Sequence, residues 1–140
     1  MKARSHPARG FTLLELLVVV TFLGILAAIA APPVSGFLRS SRLSGAATTL
    51  ASDLYYTRSL ANMQRKNYTI QFADTGYVVR RVSPAATIRT RVLPRGVTIA
   101  ATDTANFYGW GLTDAVSMTL SAGGQSRVVR LTTSGSVARD

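Results

Sequence analysis

The chain has 140 residues, with 16 Lys and Arg against 6 Asp and Glu, a formal net charge of +10, one histidine and no cysteine. That length suits one domain, or one small domain on an anchor. The lack of cysteine excludes a disulfide framework and any cysteine metal site, so the folded part must be held by packing alone.

Met1 to Gly10 carries Lys2, Arg4, Arg9 and the lone His6. An apolar run follows from Phe11 to Ala31, interrupted after Leu16 only by Thr21 and Gly24. It is roughly 20 residues long, the length a helix needs to cross a bilayer. A basic leader before an apolar helix looks like a secretory signal. This run exceeds a normal signal core, however, and Pro32-Pro33 follow it in place of a small-residue cleavage site. Glu15 sits just inside the front end, where an ionisable group is costly. It is either the snorkelling glutamate of an ordinary anchor or a carboxylate kept for function. Pro32 and Pro33 predict a break or kink, because each removes a backbone donor and clashes with the preceding turn.

Beyond Gly36, Leu43, Ala47, Leu50, Leu54 and Ala61 recur at helical spacing, with Arg42, Asp53, Arg58 and Arg65 off that stripe. This predicts the amphipathic half of one long helix ending near Arg65-Lys66-Asn67, with its apolar stripe facing a core. From Tyr68 the period changes to two. Tyr68, Ile70 and Phe72 alternate with polar residues, Asp74-Thr75-Gly76 forms a turn, and Tyr77 to Val82 returns, which is a hairpin signal. Ser83 to Thr87 is expected as loop. Arg89 to Leu93 and Val97 to Ala101 are strands flanking a turn at Pro94-Arg95-Gly96, and Thr102 to Ala115 is irregular. Val116 to Leu120 and Arg127 to Leu131 are strands around Ser121 to Gln125, and the tail Gly135 to Asp140 supplies an edge strand. A helix followed by antiparallel hairpins gives an α+β fold with a sheet packed on the helix.

The stretch Gly10-Phe11-Thr12-Leu13-Leu14-Glu15-Leu16 after a short basic leader resembles the N-terminus of a type IV prepilin, the class that includes pilins and the pseudopilins of type II secretion. Arg42-Leu43 through Tyr56-Thr57-Arg58-Ser59-Leu60-Ala61 leads into Tyr68-Thr69-Ile70-Gln71-Phe72 and a Gly76-Tyr77 hairpin. The chain closes with Arg127-Val128-Val129-Arg130-Leu131 and Gly135-Ser136-Val137. That order resembles minor pilins and pseudopilins of the GspH/FimT kind.

The resemblance implies a cleaved leader over 1–10, a transmembrane assembly helix over 11–35, and an amphipathic half-helix with a β-rich head over 36–140. It implies cleavage between Gly10 and Phe11 by a prepilin peptidase, and N-methylation of Phe11. It also pairs Glu15 with the terminal amine of a neighbouring subunit, since a buried charge is tolerable only when paired. The partners implied are other pilins in a filament or tip complex, the peptidase and an inner-membrane assembly platform. The location implied is the bacterial inner membrane, single-pass, with the head in the periplasm and later in the pilus or pseudopilus. No cofactor is expected.

Catalysis finds no support. His6 would leave with the leader, and Asp53, Asp74, Asp103 and Asp114 fall in separate elements without motif spacing, so neither paired-carboxylate nor metal chemistry is indicated. The basic excess offers an alternative function, a pilus-displayed DNA-binding subunit for DNA uptake. Arg89 and Arg91 form one candidate cluster, and Arg127, Arg130 and Arg139 another, as arginines are efficient phosphate contacts. Tyr108 and Trp110 either stack on bases of a single strand, or Trp110 plugs the core. DNA-binding relatives carry Gly-Arg-x-Arg near the C-terminus. Gly135-Ser136-Val137-Ala138-Arg139 lacks the first arginine and displaces the second.

Overall fold

The computed structural model describes residues 11–140, with the side chains of 30–35 left outside the description. Gly10 also lies outside the described residues. The chain divides into two units, Met1–Gly36 and Phe37–Asp140. Helix α1 (Leu13–Gln64) is continuous through Pro32 and Pro33, so of the break or kink expected there no break occurs.

The first unit starts on a cap. Thr12 precedes α1, and its Oγ1 accepts from the Glu15 N–H at 3.3 Å while its carbonyl accepts from the Glu15 and Leu16 N–H groups. The Thr12-Leu13-Leu14-Glu15 spacing is that of a capping box. Every described large apolar side chain from Phe11 to Ile29 is exposed, from 46% at Val18 to 84% at Leu13.

The second unit buries the other end of α1. Leu43, Ala46, Ala47, Leu50, Leu54 and Ala61 lie within the core, at the three- and four-residue steps that mark one helix face. Asp53 is buried among them, at 2% exposure, which overturns its expected place off the stripe. The helix closes with Arg65 in the left-handed region at φ 52. The Lys66 N–H reaches back to the Ala61 carbonyl, satisfying an orphan acceptor of the last turn.

Eight strands follow, in two sheets where one was expected. The first sheet has the order β3-β2-β1-β5 and comprises β1 (Tyr68–Ala73), β2 (Gly76–Arg81), β3 (Ala86–Val92) and β5 (Ala105–Phe107). The second, β4-β6-β7-β8, comprises β4 (Thr98–Ala101), β6 (Val116–Ala122), β7 (Gln125–Leu131) and β8 (Val137–Arg139). All pairings are antiparallel.

Two hairpins stand where the alternation predicts them. In β1–β2 the pair Ala73↔Gly76 closes on Asp74 and Thr75 alone. In β6–β7 the pair Ala122↔Gln125 closes on Gly123 and Gly124, both at positive φ, as a tight turn matched to strand twist requires. Pro94-Arg95-Gly96 is a turn as expected, with the Val97 N–H donating to the Pro94 carbonyl at 3.0 Å, but the strands it joins do not pair with each other. β3 pairs with β2 and β4 with β6, so this segment carries the chain from one sheet to the other. The β1–β2 turn holds the crossing, with the Asp74 and Thr75 carbonyls accepting from Ile99 and Leu93. The stretch expected as irregular contains β5, which closes the first sheet against β1 and buries Phe107. β3 begins at Ala86, inside the expected loop.

The inward faces of both sheets and the helix stripe form one core. β6 shows the pattern most plainly, with Val116, Met118, Leu120 and Ala122 buried in strict alternation.

Candidate interaction sites

Four regions carry the residues singled out by sequence. The first is the start of α1. Phe11 is exposed and unwound, and Glu15 lies in the first helical turn. There the free N–H groups and the helix dipole favour a carboxylate, so Glu15 is partly accommodated by its own helix before any partner arrives. Among the described residues no helix is long and apolar enough to cross a membrane.

The second region is a clasp between α1 and the edge of the first sheet. The Asp53 carboxylate accepts from Arg89 Nη1 at 2.5 Å, Arg91 Nε at 2.9 Å and the Tyr77 hydroxyl at 2.9 Å. Arg89 and Arg91 are two residues apart, hence on one face of β3, and Arg91 lies directly across from Tyr77. Arg89 also stacks over the Tyr56 ring, 4.5 Å from its centroid. Burial pushes the Asp53 carboxyl up, but the hydrogen bonds from Arg91, Tyr77 and Arg89 outweigh it, and the pKa falls below its usual value. Burial and the adjacent carboxylate push the Tyr77 phenol up, so it stays a donor. Two of the five arginines proposed for DNA are therefore committed within the chain. What sequence reasoning missed is Asp53 itself: an acid inside an apolar stripe, 36 and 38 residues from its arginine partners.

The second arginine cluster is divided. Arg127 and Arg130 fall on opposite faces of β7. Arg130 pairs with Asp140. Arg139 donates to Thr48 Oγ1 at 3.1 Å, and it lines a groove with Arg127, Ser44 and Thr48. Gly135, the glycine of the C-terminal signature stretch, packs against Arg58, whose Nη1 donates to its carbonyl.

The fourth region is the loop after β5. Tyr108 and Trp110 stack with centroids 4.9 Å apart and planes at 14°. Trp110 is 67% exposed, so it does not plug the core. The loop is pinned to the end of α1: the Gly109 N–H donates to Asn67 Oδ1, and a Cβ at Gly109 would lie 2.6 Å from the Arg65 carbonyl carbon. Tyr108 bonds Asp114, whose charge pushes the phenol pKa up. Among the described residues no acidic or histidine group is arranged to hold a metal.

These features sit in a recognised sequence context. The prokaryotic N-terminal methylation motif matches residues 6–31, and the type II transport protein GspH family model matches residues 46–136, well over half the chain. The type IV major pilin protein PilA of Myxococcus xanthus is 42% identical over 73 residues, 51% of this chain and 32% of that protein. The chain thus spans about a third of the length of that relative. Among solved structures, the type IV minor pilin FimU of Pseudomonas aeruginosa superposes with a TM-score of 0.63 at 20% identity, over 74% of this chain and 92% of FimU. The minor pseudopilin EpsH from the type 2 secretion system of Vibrio cholerae gives 0.64 at 8% identity, over 71% and 96%. At those identities the likeness is one of fold.

Proposed function

The chain belongs to the type II transport protein GspH family and is a pilin-class structural subunit, and on that premise we propose that it works as a minor pilin or pseudopilin at or near a filament tip. The methylation motif marks it as a membrane-anchored pilin. In this reading a prepilin peptidase cuts between Gly10 and Phe11, and Phe11 is then N-methylated. The segment over 11–35 spans the inner membrane once, with the head in the periplasm. An inner-membrane assembly platform then hands the subunit to a pilus or pseudopilus.

The observation that carries the reading is the exposed run from Phe11 to Ile29 beside a head whose core is closed by its own residues. So large an apolar surface needs lipid or neighbouring helices to cover it. Glu15 then has two states: in the membrane its carboxylate stands in the first turn of its own helix, where the dipole favours it, and in the filament it pairs with the methylated terminal amine of a neighbour. Glu15→Ala tests this. The variant is expected to insert and to be processed normally, yet to be lost from filaments or tip complexes. Co-purification with partner pilins at the wild-type level would sink the pairing.

A second reading, a subunit that binds single-stranded DNA for uptake, is favoured by one observation. The exposed Tyr108–Trp110 stack offers an aromatic platform, and Gly109 between the two residues packs on the backbone just past the end of α1.

A further inference from the structure

Three arginines outside every described ion pair line one pocket of the head. Arg39 and Arg42 stand one turn apart on α1. Arg95 reaches the same space from the segment that crosses between the sheets, and with Val97, Ala122 and Gly123 they bound about 440 Å³. No carboxylate lines the pocket. The acids of the described ion pairs are spent elsewhere, Asp53 on Arg89 and Arg91, and Asp140 on Arg130. Arg39 packs against the β6–β7 turn: a Cβ at Gly123 would lie 3.0 Å from its Cδ and 3.1 Å from its Nη1. An acid-free pocket lined by three arginines suits an anion, and the planar fork of arginine matches phosphate oxygens two at a time.

Position along the chain selects the anion. The pocket arginines follow directly on the apolar segment, after Phe37, which is 74% exposed. At the helical rise, Arg39 and Arg42 come about 3 and 8 Å beyond Phe37, roughly the depth of a lipid headgroup layer. Aromatic and arginine side chains both favour that layer. We propose that the pocket formed by Arg39, Arg42 and Arg95 binds the phosphate of an anionic phospholipid headgroup while the subunit waits in the membrane. This rests on the membrane-anchored reading above. Lipid in the pocket seats the head on the bilayer surface, and extraction into a filament must release it.

The test uses the full chain in mild detergent, with retained lipid counted by native mass spectrometry after equal exposure to phosphatidylglycerol and phosphatidylcholine. The wild type is expected to retain phosphatidylglycerol preferentially. Arg39→Gln, Arg42→Gln and Arg95→Gln together should reduce that preference by about fivefold per arginine. A control carrying Arg65→Gln, Lys66→Gln and Arg80→Gln loses the same formal charge elsewhere and should keep it. Equal retention of the two lipids, or an equal loss in both triple variants, overturns the proposal. Release of the lipid by inorganic phosphate or by an oligonucleotide at matched phosphate concentration also overturns it, in favour of a free-phosphate or nucleic-acid site. Flotation with pure phosphatidylcholine vesicles reports the anchor separately. A chain that does not float there defeats the anchored reading, while lipid selectivity lost only in the pocket variant still supports the site.

Discussion

The two units of this chain use similar side chains to opposite ends. Leu17 in the first unit and Leu54 in the second lie on the same helix, but Leu17 is 62% exposed and Leu54 is fully buried. The difference is not in the residues. Around Leu54 the polar positions of the helix leave one apolar face, and two sheets supply the surface that covers it. Around Leu17 the helix is apolar on nearly all sides, and among the described residues of that unit nothing else covers it. A helix apolar all round is built for a membrane or for a bundle of other helices.

Leu54→Ala against Leu17→Ala tests that contrast most severely. Leu54→Ala should cost about 2 to 5 kcal/mol through lost burial and a cavity beneath both sheets. Leu17→Ala should leave head unfolding unchanged within about 0.5 kcal/mol. Thermal unfolding of the full chain in detergent, followed through β-sheet circular dichroism, reads both. A comparable loss from Leu17→Ala would mean that the apolar segment supports the head, and the contrast would fail.

The clasp comes next in size. Asp53→Asn keeps the shape but leaves Arg89 and Arg91 without a counter-charge at a buried position, and should cost about 1 to 3 kcal/mol, held down by the partial exposure of both arginines. The folded pKa of Asp53 lies below its ordinary value of 3.8, so its contribution is complete above that value and is lost as pH falls through the folded pKa. Melting of the wild type should therefore fall more steeply than that of Asp53→Asn as pH is lowered below about 4. Parallel acid profiles would show that Asp53 carries no linked stability.

The smallest effect concerns Trp110. Exposed as it is, Trp110→Ala should change head stability by less than about 0.5 kcal/mol. If the Tyr108–Trp110 stack is a base platform, the same change should weaken binding of single-stranded oligonucleotides by about 1 to 3 kcal/mol. Unchanged affinity would remove the stacking platform from the DNA reading, and with Arg89 and Arg91 engaged by Asp53 only the groove of Arg127 and Arg139 would be left to carry it.

Particular elements show why some of this architecture is legible in the chain and some is not. The β1–β2 and β6–β7 hairpins are local: alternation and a two-residue turn specify them, and both stand where expected. β5 is three residues long and has too few side chains for a period, so only its pairing with β1 reveals it. Pro94-Arg95-Gly96 has the composition of a hairpin turn, but turn chemistry does not say which strands will pair. Asp53 looks like a solvated helix residue until Tyr77, Arg89 and Arg91 arrive from strands far along the chain.

By itself, then, the sequence determined what is periodic or contiguous: the long helix, its apolar first half, the buried stripe from Leu43 to Ala61, the hairpins and the Gly10-Phe11 and Glu15 motif. The physical reason is that each depends on neighbours within a few residues, through helix or strand period, turn geometry or a short motif. Only the tertiary structure decided the division into two sheets, the exposure of Trp110, the Asp53 clasp and the gathering of Arg39, Arg42 and Arg95 around one pocket. Those depend on which distant segments meet, and charges acquire a role only from the partners, or the lack of them, that the fold brings within reach.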